Sequence, residues 1–270
     1  MAVEAPLEIR VAGRPLAVTL RTPGHDVELA LGFLLAEGVI ESADDVTAWR
    51  VRAPSSDRDP DGHVDELVAE IELAEAALDR WARRRVQREF RSNSACGACG
   101  KPSLEDLHIE PLRAGDPAAS ASGPIEPTDL GALIDRALAD QPLFRLTGAV
   151  HGAAAFDREG QCLAVFEDVG RHNAMDKLIG WALLGRSAAT GVERGVESEG
   201  RPVDGSDELL DELLVLSTGR AGFEIVQKAL RARAAGVLAL GAATDWAVEL
   251  ARHGGMALIG FGGGEPVRYC

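Results

Sequence analysis

The sequence predicts a mixed α/β protein in which a strand-rich N-terminal part, residues 1–126, precedes a layered C-terminal α/β part, residues 127–270. Two observations favour this fold class. The second half alternates short apolar runs with segments of helical length, which is the pattern of sheet strands covered by helices. Between the two parts, Ala114–Pro127 contains three prolines among small residues and is typical of a flexible connection.

The N-terminal part is predicted to contain strands around one buried helix. Leu16–Arg21 alternates weakly between apolar and polar residues, and Val64–Leu73 is predicted to be a second strand. The mainly apolar segment Val27–Glu37 indicates a short buried helix. Thr128 is predicted to cap a helix that runs to Ala139, because its hydroxyl can accept a hydrogen bond from a first-turn amide.

The C-terminal part repeats a strand, a loop and a helix. The helix predicted at Asn173–Leu184 has apolar residues at spacings of three and four, so one face should be buried. A helix at Gly222–Ala235 is expected to end at Gly236, since glycine suits a helix C-cap. Gly185–Asp207 is predicted to be an exposed, mobile insertion. The remaining elements are four strands and a helix: Cys162–Glu167, Leu213–Ser217, Val237–Leu240, Met256–Gly260 and Thr244–His253.

Composition excludes several classes of protein. A formal net charge of −15 argues against a dominant surface for nucleic acid or anionic lipid, since both need a basic patch. The longest apolar run, Leu29–Ala36, is far shorter than the ~20 residues of a membrane span. The N-terminus lacks the features of a signal peptide, and four cysteines are too few for a secreted disulfide scaffold. We therefore expect a cytoplasmic protein that binds neither nucleic acid nor membrane.

The residues that suggest chemistry first are Cys96 and Cys99, in a loop of small residues that also carries Lys101. Small neighbours let a partner approach the sulfur atoms, and a nearby lysine favours the thiolate. A thiolate can attack a persulfide donor, hold the outer sulfur atom and pass it on. The pattern therefore favours sulfur carriage or another nucleophilic role, with Cys96 and Cys99 as the candidate catalytic residues.

Three other interpretations of the cysteine pair stay open at this point. A structural zinc site needs two further ligands, which Cys162 and a histidine could supply, although no second Cys-x-x-Cys pair exists. A thioredoxin-like redox pair lacks its usual sequence context. A zinc-dependent deaminase would have His-x-Glu upstream and proline before the first cysteine, whereas Ala95 stands there and His63 precedes Glu66 by one position too many.

Two strand-to-helix loops are candidates for phosphate binding. In the first, Arg171, His172 and Asn173 open a predicted helix; in the second, Gly219 and Arg220 follow the next strand. Helix N-termini offer unbonded amides to anions, so two such loops suit a polyanionic ligand. The alternative for the first loop is a local salt-bridge network of Asp168, Arg171 and Asp176, in which Asn173 only caps the helix.

Two further candidates carry weaker signals. The segment Phe261–Pro266 (Phe261, Gly262, Gly263, Gly264, Glu265 and Pro266) follows a strand, and its glycines would permit backbone contact with a base or phosphate. The alternative is a flexible tail. His151 lies among small residues next to Gly152, which permits either a ligand contact or an ordinary core histidine.

Taken together, these stretches resemble the FdhD family of formate dehydrogenase accessory sulfurtransferases. The resemblance covers nearly the whole chain. It rests on Arg21–Gly24 with Glu28–Leu34 and Glu37-Gly38, the Cys-Gly-x-Cys-Gly loop at Cys96, Thr147-Gly148 to His151, Glu167–Lys177, Gly219-Arg220 with Glu224–Lys228, and Gly260-Phe261.

The resemblance implies a function, a fold and partners. A cysteine desulfurase would load sulfur onto Cys96 as a persulfide, with Cys99 as an assisting thiol, and the protein would deliver it to the molybdenum cofactor of a formate dehydrogenase. That cofactor would be bound in its molybdopterin guanine dinucleotide form. A cytidine-deaminase-like core and a homodimer are also implied. The segment Phe261–Pro266 would bind the cofactor, although it lacks the family's usual arginine and could use only backbone contacts.

Two rival functions belong to different classes. A non-catalytic chaperone could shelter the molybdenum cofactor with the nucleotide loops alone, and its cysteines would be dispensable. A zinc-stabilised binding module would contain a stoichiometric metal.

Overall fold

The structure is a computed structural model that describes residues 1–53, 67–87, 129–185, 198–200 and 210–270. The predicted fold class is confirmed, because the described strands form two sheets that pack with helices. The predicted boundary at residues 126 and 127 lies outside the described residues, so the division into domains stays a prediction. In the part of the chain that the structure describes, no helix combines the length and the apolar character needed to cross a bilayer.

The elements follow one another along the chain as two groups. The first group is β1 (Ala5–Val11), β2 (Arg14–Arg21), α1 (Asp26–Ala36), β3 (Val46–Arg52), β4 (Leu67–Leu73) and α2 (Glu75–Gln87). The second group is α3 (Leu130–Ala139), α4 (Pro142–Thr147), β5 (His151–Phe156), β6 (Cys162–Asp168), α5 (Arg171–Leu183), β7 (Ser198–Gly200), β8 (Leu214–Ser217), α6 (Phe223–Arg231), β9 (Gly236–Ala239), α7 (Asp245–His253), β10 (Ala257–Gly262) and β11 (Glu265–Arg268).

The first sheet has the strand order β2-β1-β4-β3-β7 among the described residues. Burial alternates along β1, where Leu7 and Ile9 are fully buried, as expected for a strand with one face on the core. The strand β7 lies inside Gly185–Asp207 and pairs with β3. The prediction of a wholly mobile insertion is therefore wrong for this part, because its backbone completes a hydrogen-bonded edge.

The second sheet has the strand order β11-β10-β9-β8-β5-β6 among the described residues, and the directions of its strands determine which loops lie together. Strands β8, β9 and β10 are parallel, while β5 is antiparallel to both β6 and β8. It follows that β6, β8, β9 and β10 all end at the same edge, which we call the carboxyl edge. The helices α5, α6 and α7 begin just beyond this edge, after β6, β8 and β9.

Helices α1 and α5 form the centre of the molecule. A Cβ atom on Gly32 would overlap the backbone carbonyl of Asp176, and one on Gly180 would overlap the carbonyl of Glu28. Glycine at both positions therefore lets the two helices cross in backbone contact. Helix α1 also contacts the first sheet and α5 the second, so the pair joins the sheets in one apolar core.

The structure corrects several details of the sequence prediction. Helix α5 is buried on all sides from Ala174 to Leu183 rather than on one face, because α1 covers the side expected to face solvent. The strand predicted at Cys162–Glu167 is confirmed as β6, which lies at an edge of the second sheet among the described strands and leaves Cys162 only half-buried.

Two predicted helix ends are also wrong. The cap of α3 is Asp129, whose Oδ1 accepts a hydrogen bond of 2.9 Å from the Ala132 amide, and Thr128 lies outside the described residues. Helix α6 ends at Arg231, and Arg233 takes the left-handed conformation with φ 63°. Gly236 instead begins β9, where a Cβ atom would lie 3.1 Å from Leu214.

Candidate functional site

Hydrogen bonds tie the loops at the carboxyl edge into one surface. The Gly241 amide donates to the Gly219 carbonyl at 3.0 Å, and the Phe261 amide donates to the Gly241 carbonyl at 3.3 Å. The loops after β8, β9 and β10 therefore lie side by side. Gly219 and Phe261 were predicted from the sequence, whereas Gly241 was not, although it directly follows the predicted strand Val237–Leu240.

Arg171 lies against this row of loops. A Cβ atom on Gly219 would come within 2.7 Å of Arg171 Cδ, so glycine leaves the space that the arginine side chain occupies. The Arg171 Nε atom is buried and has no hydrogen-bond partner among the described residues. A buried guanidinium N–H without a partner is energetically costly unless a ligand or water satisfies it.

Gly241, in the loop after β9, lies against Arg220 in the same way as Gly219 lies against Arg171. A Cβ atom on Gly241 would lie 2.8 Å from Arg220 Cγ, so the backbones of the two loops approach closely. The side chain of Arg220 is exposed. The structure thus brings both predicted arginines to one edge, and we call the group Arg171, His172, Gly219, Arg220, Gly241 and Phe261 the carboxyl-edge site.

Three helices begin around this site without a side-chain cap. The N-cap residues of α5, α6 and α7 are Gly170, Gly222 and Thr244, and none of them makes a side-chain hydrogen bond to its helix. The first-turn amides of α5 and α6 and the positive ends of their helix dipoles are therefore available to an anion, whereas in α7 the Trp246 amide donates to Asp245 Oδ1 at 2.8 Å. Together with two arginines, they suit the phosphates of a nucleotide.

His172 lies within hydrogen-bonding distance of Glu224, a residue whose role was not predicted from the sequence. His172 Nε2 lies 3.1 Å from Glu224 Oε2, and each side chain is 14% exposed. Burial raises the pKa of Glu224 to about 7, although Lys228 opposes the shift. No sequence signal would have found this contact, because it depends on how α5 and α6 are oriented.

The other carboxylates of the loop pair with lysines rather than with Arg171. Lys177 Nζ lies 2.8 Å from Asp168 Oδ2, and Lys228 Nζ lies 2.7 Å from Asp176 Oδ1. These four side chains are almost completely buried. The alternative in which Arg171 joins a local salt-bridge network is therefore wrong for the described residues.

Asn173 connects the loop to the first sheet. Its Nδ2 donates to the Leu20 carbonyl at 2.8 Å and to Asp168 Oδ1 at 3.0 Å, while its Oδ1 accepts from Thr19 at 3.2 Å. The side-chain amide of Asn173 is therefore already hydrogen-bonded to protein atoms, and a contact between it and a ligand stays a prediction. Asn173 does not cap α5, since Gly170 is the N-cap residue.

The turn after β2 is bonded to the same loop. The Thr22 amide donates to Asp168 Oδ2 and the Val169 amide donates to Thr22 Oγ1, both at 3.0 Å. Lys177 Nζ completes the contact by donating to the Thr22 carbonyl at 2.9 Å. The backbone conformation ahead of Arg171 is therefore fixed by the N-terminal sheet.

His151 lies at the carboxyl edge because β5 begins there. Its Nδ1 is 3.4 Å from Thr218 Oγ1, in the loop that contains Gly219. Burial lowers the pKa of His151, and the charge of Arg171 lowers it further. A neutral imidazole is therefore available beside the site as a hydrogen-bonding group.

The segment Phe261–Pro266 is a hairpin, so the alternative of a flexible tail is wrong. Gly262 pairs with Glu265, and the intervening Gly263 and Gly264 have φ of +65° and +94°. These conformations favour glycine and are typical of a tight hairpin turn. Backbone contact of this segment with a ligand stays a prediction.

The predicted nucleophiles Cys96 and Cys99 lie outside the described residues. Among the residues that are described, no group of three or more His, Cys, Asp or Glu side chains is arranged to hold a metal ion. Cys162 is half-buried, and burial raises the pKa of its thiol to about 11. A thiol with this pKa is a poor nucleophile at neutral pH.

Comparisons with known proteins give a consistent result. The family model of the FdhD/NarQ family matches residues 2–268. A protein from Corynebacterium efficiens named sulfur carrier protein FdhD is 40% identical over 97% of this chain and 85% of its own length. A protein of the same name from Mycobacterium tuberculosis is 38% identical over 99% of this chain and 88% of its own.

A solved structure supports the fold. The crystal structure of a protein from Desulfotalea psychrophila, described as a formate dehydrogenase accessory protein, matches with a TM-score of 0.59 and 18% identity, over 99% of this chain and 86% of that one. On the sequence matches over almost its whole length, the chain belongs to the FdhD/NarQ family.

Proposed function

We propose that the protein is a sulfurtransferase that carries sulfur from a cysteine desulfurase to the molybdenum cofactor of a formate dehydrogenase. Cys96 accepts the sulfur as a persulfide: its thiolate attacks the outer sulfur of the donor persulfide, and the donor cysteine leaves as a thiolate. Cys99 assists as a second thiol. The names of the relatives, sulfur carrier protein FdhD, support this part of the proposal.

The ligand part of the proposal is that the carboxyl-edge site binds the cofactor as molybdopterin guanine dinucleotide. The observation that carries it is the buried Arg171 Nε without a partner among the described residues, at an edge where three uncapped helices begin. In this assignment Arg171 and Arg220 bind the phosphates, and Gly219 and Gly241 allow close backbone approach. His151, His172 and the backbone of Phe261–Pro266 complete the contact surface.

Intact-mass analysis tests sulfur carriage directly. After incubation with a cysteine desulfurase and cysteine, we expect the wild type to gain one sulfur atom and Cys96→Ala to gain none. Cys270→Ala is the matched control, because Cys270 is a half-buried thiol at the end of the chain, and it should behave as the wild type. A Cys96→Ala protein that still activates the formate dehydrogenase would favour a non-catalytic chaperone.

Calorimetry with guanosine diphosphate tests the ligand site. Arg171→Ala should weaken binding by roughly 1.5–3 kcal/mol, the contribution of a charge-assisted bond to phosphate. Arg14→Ala removes an exposed arginine at the start of β2 and serves as the control. Equal affinities in all three proteins would assign Arg171 a structural role. The proposal also includes a homodimer and a cytoplasmic location; sedimentation analysis of the same samples tests the first, and fractionation of cells tests the second.

A further inference from the structure

The pair His172–Glu224 lies where a phosphate would enter the carboxyl-edge site. His172 is the second residue of α5 and Glu224 the second residue of α6, and both first turns lack a side-chain cap. The two side chains are joined at 3.1 Å and are mostly buried. Any anion bound by the first-turn amides of these helices therefore sits close to the Glu224 carboxylate.

The surroundings of Glu224 contain an excess of carboxylates. The titratable and charged groups that face it come from α5, α6 and the end of α1, and they are Arg171, His172, Asp176, Lys228 and Glu37. Lys228 makes both of its hydrogen bonds to Asp176, at 2.7 and 2.9 Å, and so is committed to that carboxylate. The nearby positive charges therefore do not fully offset the cost of burying an ionised Glu224, and burial raises its pKa to about 7.

We propose that Glu224 is a positioning residue that acts through His172, and that the His172–Glu224 pair takes up one proton when a phosphate-bearing ligand binds. This inference rests on the proposed nucleotide site and deepens it. The incoming phosphates add negative charge beside Glu224 and increase its affinity for a proton. One proton from solvent binds to the pair. His172 and Glu224 stay hydrogen-bonded, and one negative charge that would repel the phosphates is neutralised. No bond other than that to the proton is made or broken.

The direction of the pH dependence follows from this coupling. The proton affinity of the pair is higher in the complex than in the ligand-free protein, so binding is favoured at the lower pH. Below about pH 6 the pair is already protonated and the affinity should level off. As the pH rises above about 7, affinity should fall by up to about tenfold per pH unit, the limit for one linked proton.

The test is calorimetry of guanosine diphosphate binding at pH 7.5 in buffers that differ in ionisation enthalpy. The number of protons taken up is the slope of the observed enthalpy against the buffer's ionisation enthalpy. We expect the wild type to take up a larger fraction of a proton than Glu224→Gln. Glu249→Gln, which removes an exposed carboxylate of α7, should match the wild type. Ionisation of the ligand itself is the same for all three proteins and cancels in the comparison.

Equal proton uptake by the wild type and Glu224→Gln, with binding intact, would overturn this inference and leave the nucleotide site standing. Absence of binding to the wild type at every pH would overturn the proposed ligand and this inference together. Carbon-13 NMR of the wild-type carboxyl groups covers the case in which Glu224→Gln does not fold. A glutamate resonance should titrate near pH 7 and move to higher pH with guanosine diphosphate, and it is separate from the aspartate resonance of Asp176, whose pKa burial raises to about 6. A glutamate resonance unmoved by the ligand would refute the coupling.

Discussion

The buried pair Asp176–Lys228 gives the sharpest stability prediction. The two side chains are 2% and 4% exposed and share hydrogen bonds of 2.7 and 2.9 Å between α5 and α6. Replacing Lys228 by methionine keeps much of the apolar stem and leaves the Asp176 carboxylate buried without its partner. Removing one member of a buried ion pair costs about 3–5 kcal/mol. For a chain of this size the melting temperature should fall by about 6–20 °C.

A double-mutant cycle separates the pair from its surroundings. Lys228→Met, Asp176→Leu and the double variant are compared by urea and thermal unfolding, followed by circular dichroism. Because the double variant leaves no unpaired charge, its loss should be smaller than the sum of the two single losses by at least about 2 kcal/mol. The reasoning is refuted if Lys228→Met loses less than about 1 kcal/mol, or if the single losses add.

Three further predictions concern packing, pH and reactivity. Gly180→Ala should destabilise the fold by about 1–3 kcal/mol or more, since its methyl group overlaps the backbone of α1, and an unchanged melting temperature would contradict the close crossing. The pKa of Glu224 is raised from 4.5 to about 7 by burial, so the folded state binds this proton more tightly than the unfolded state. The stability that this proton contributes is present below pH 4.5 and is lost as the pH rises through 7. The free energy of unfolding of Glu224→Gln, measured relative to that of the wild type, should therefore increase by up to roughly 3 kcal/mol between pH 4 and pH 8. A limiting amount of alkylating agent should label Cys96 or Cys99 before Cys162, whose pKa burial raises to about 11, and peptide mapping that finds Cys162 first would reverse the assignment.

The fold could be predicted where apolar periodicity is strong. Helix α1 and the strands β8 and β10 were found because their apolar runs have the length and the boundaries of such elements. Strand β5 was missed, since its central residues Ala153, Ala154 and Ala155 have little preference for strands. Strand β5 lies between β6 and β8, and these alanine side chains are fully buried on the two faces of the sheet, which only the tertiary packing explains.

The predictions of the start of α3 and of the end of α6 were wrong because neighbouring residues give similar capping signals. Thr128 and Asp129 are both good capping residues, and the sequence alone does not rank neighbours of this kind. At the end of α6, Arg233 adopts a conformation that normally favours glycine, while the nearby Gly236 is needed where a strand passes close to Leu214.

The candidate site could be predicted in part. Arg171 and Gly219 were paired from sequence because loops that follow parallel strands meet at one edge of a sheet. The contact between His172 and Glu224 could not be predicted, because it depends on the angle at which α5 and α6 pack.

The anchoring of the Arg171 loop by Thr22 has a consequence for the order of folding. The hydrogen bonds between Thr22 and the loop join residues separated by 146 and 147 positions. At typical rates of protein synthesis, about 7–30 s pass on the ribosome between the making of these two segments. During that interval Asp168, Asp176 and Lys177 have not yet been synthesised, and the side of α1 that carries Gly32 has no α5 to pack against. The ligand surface is therefore among the last features to form, and a nascent chain that stops short of residue 168 exposes an apolar helix to chaperones.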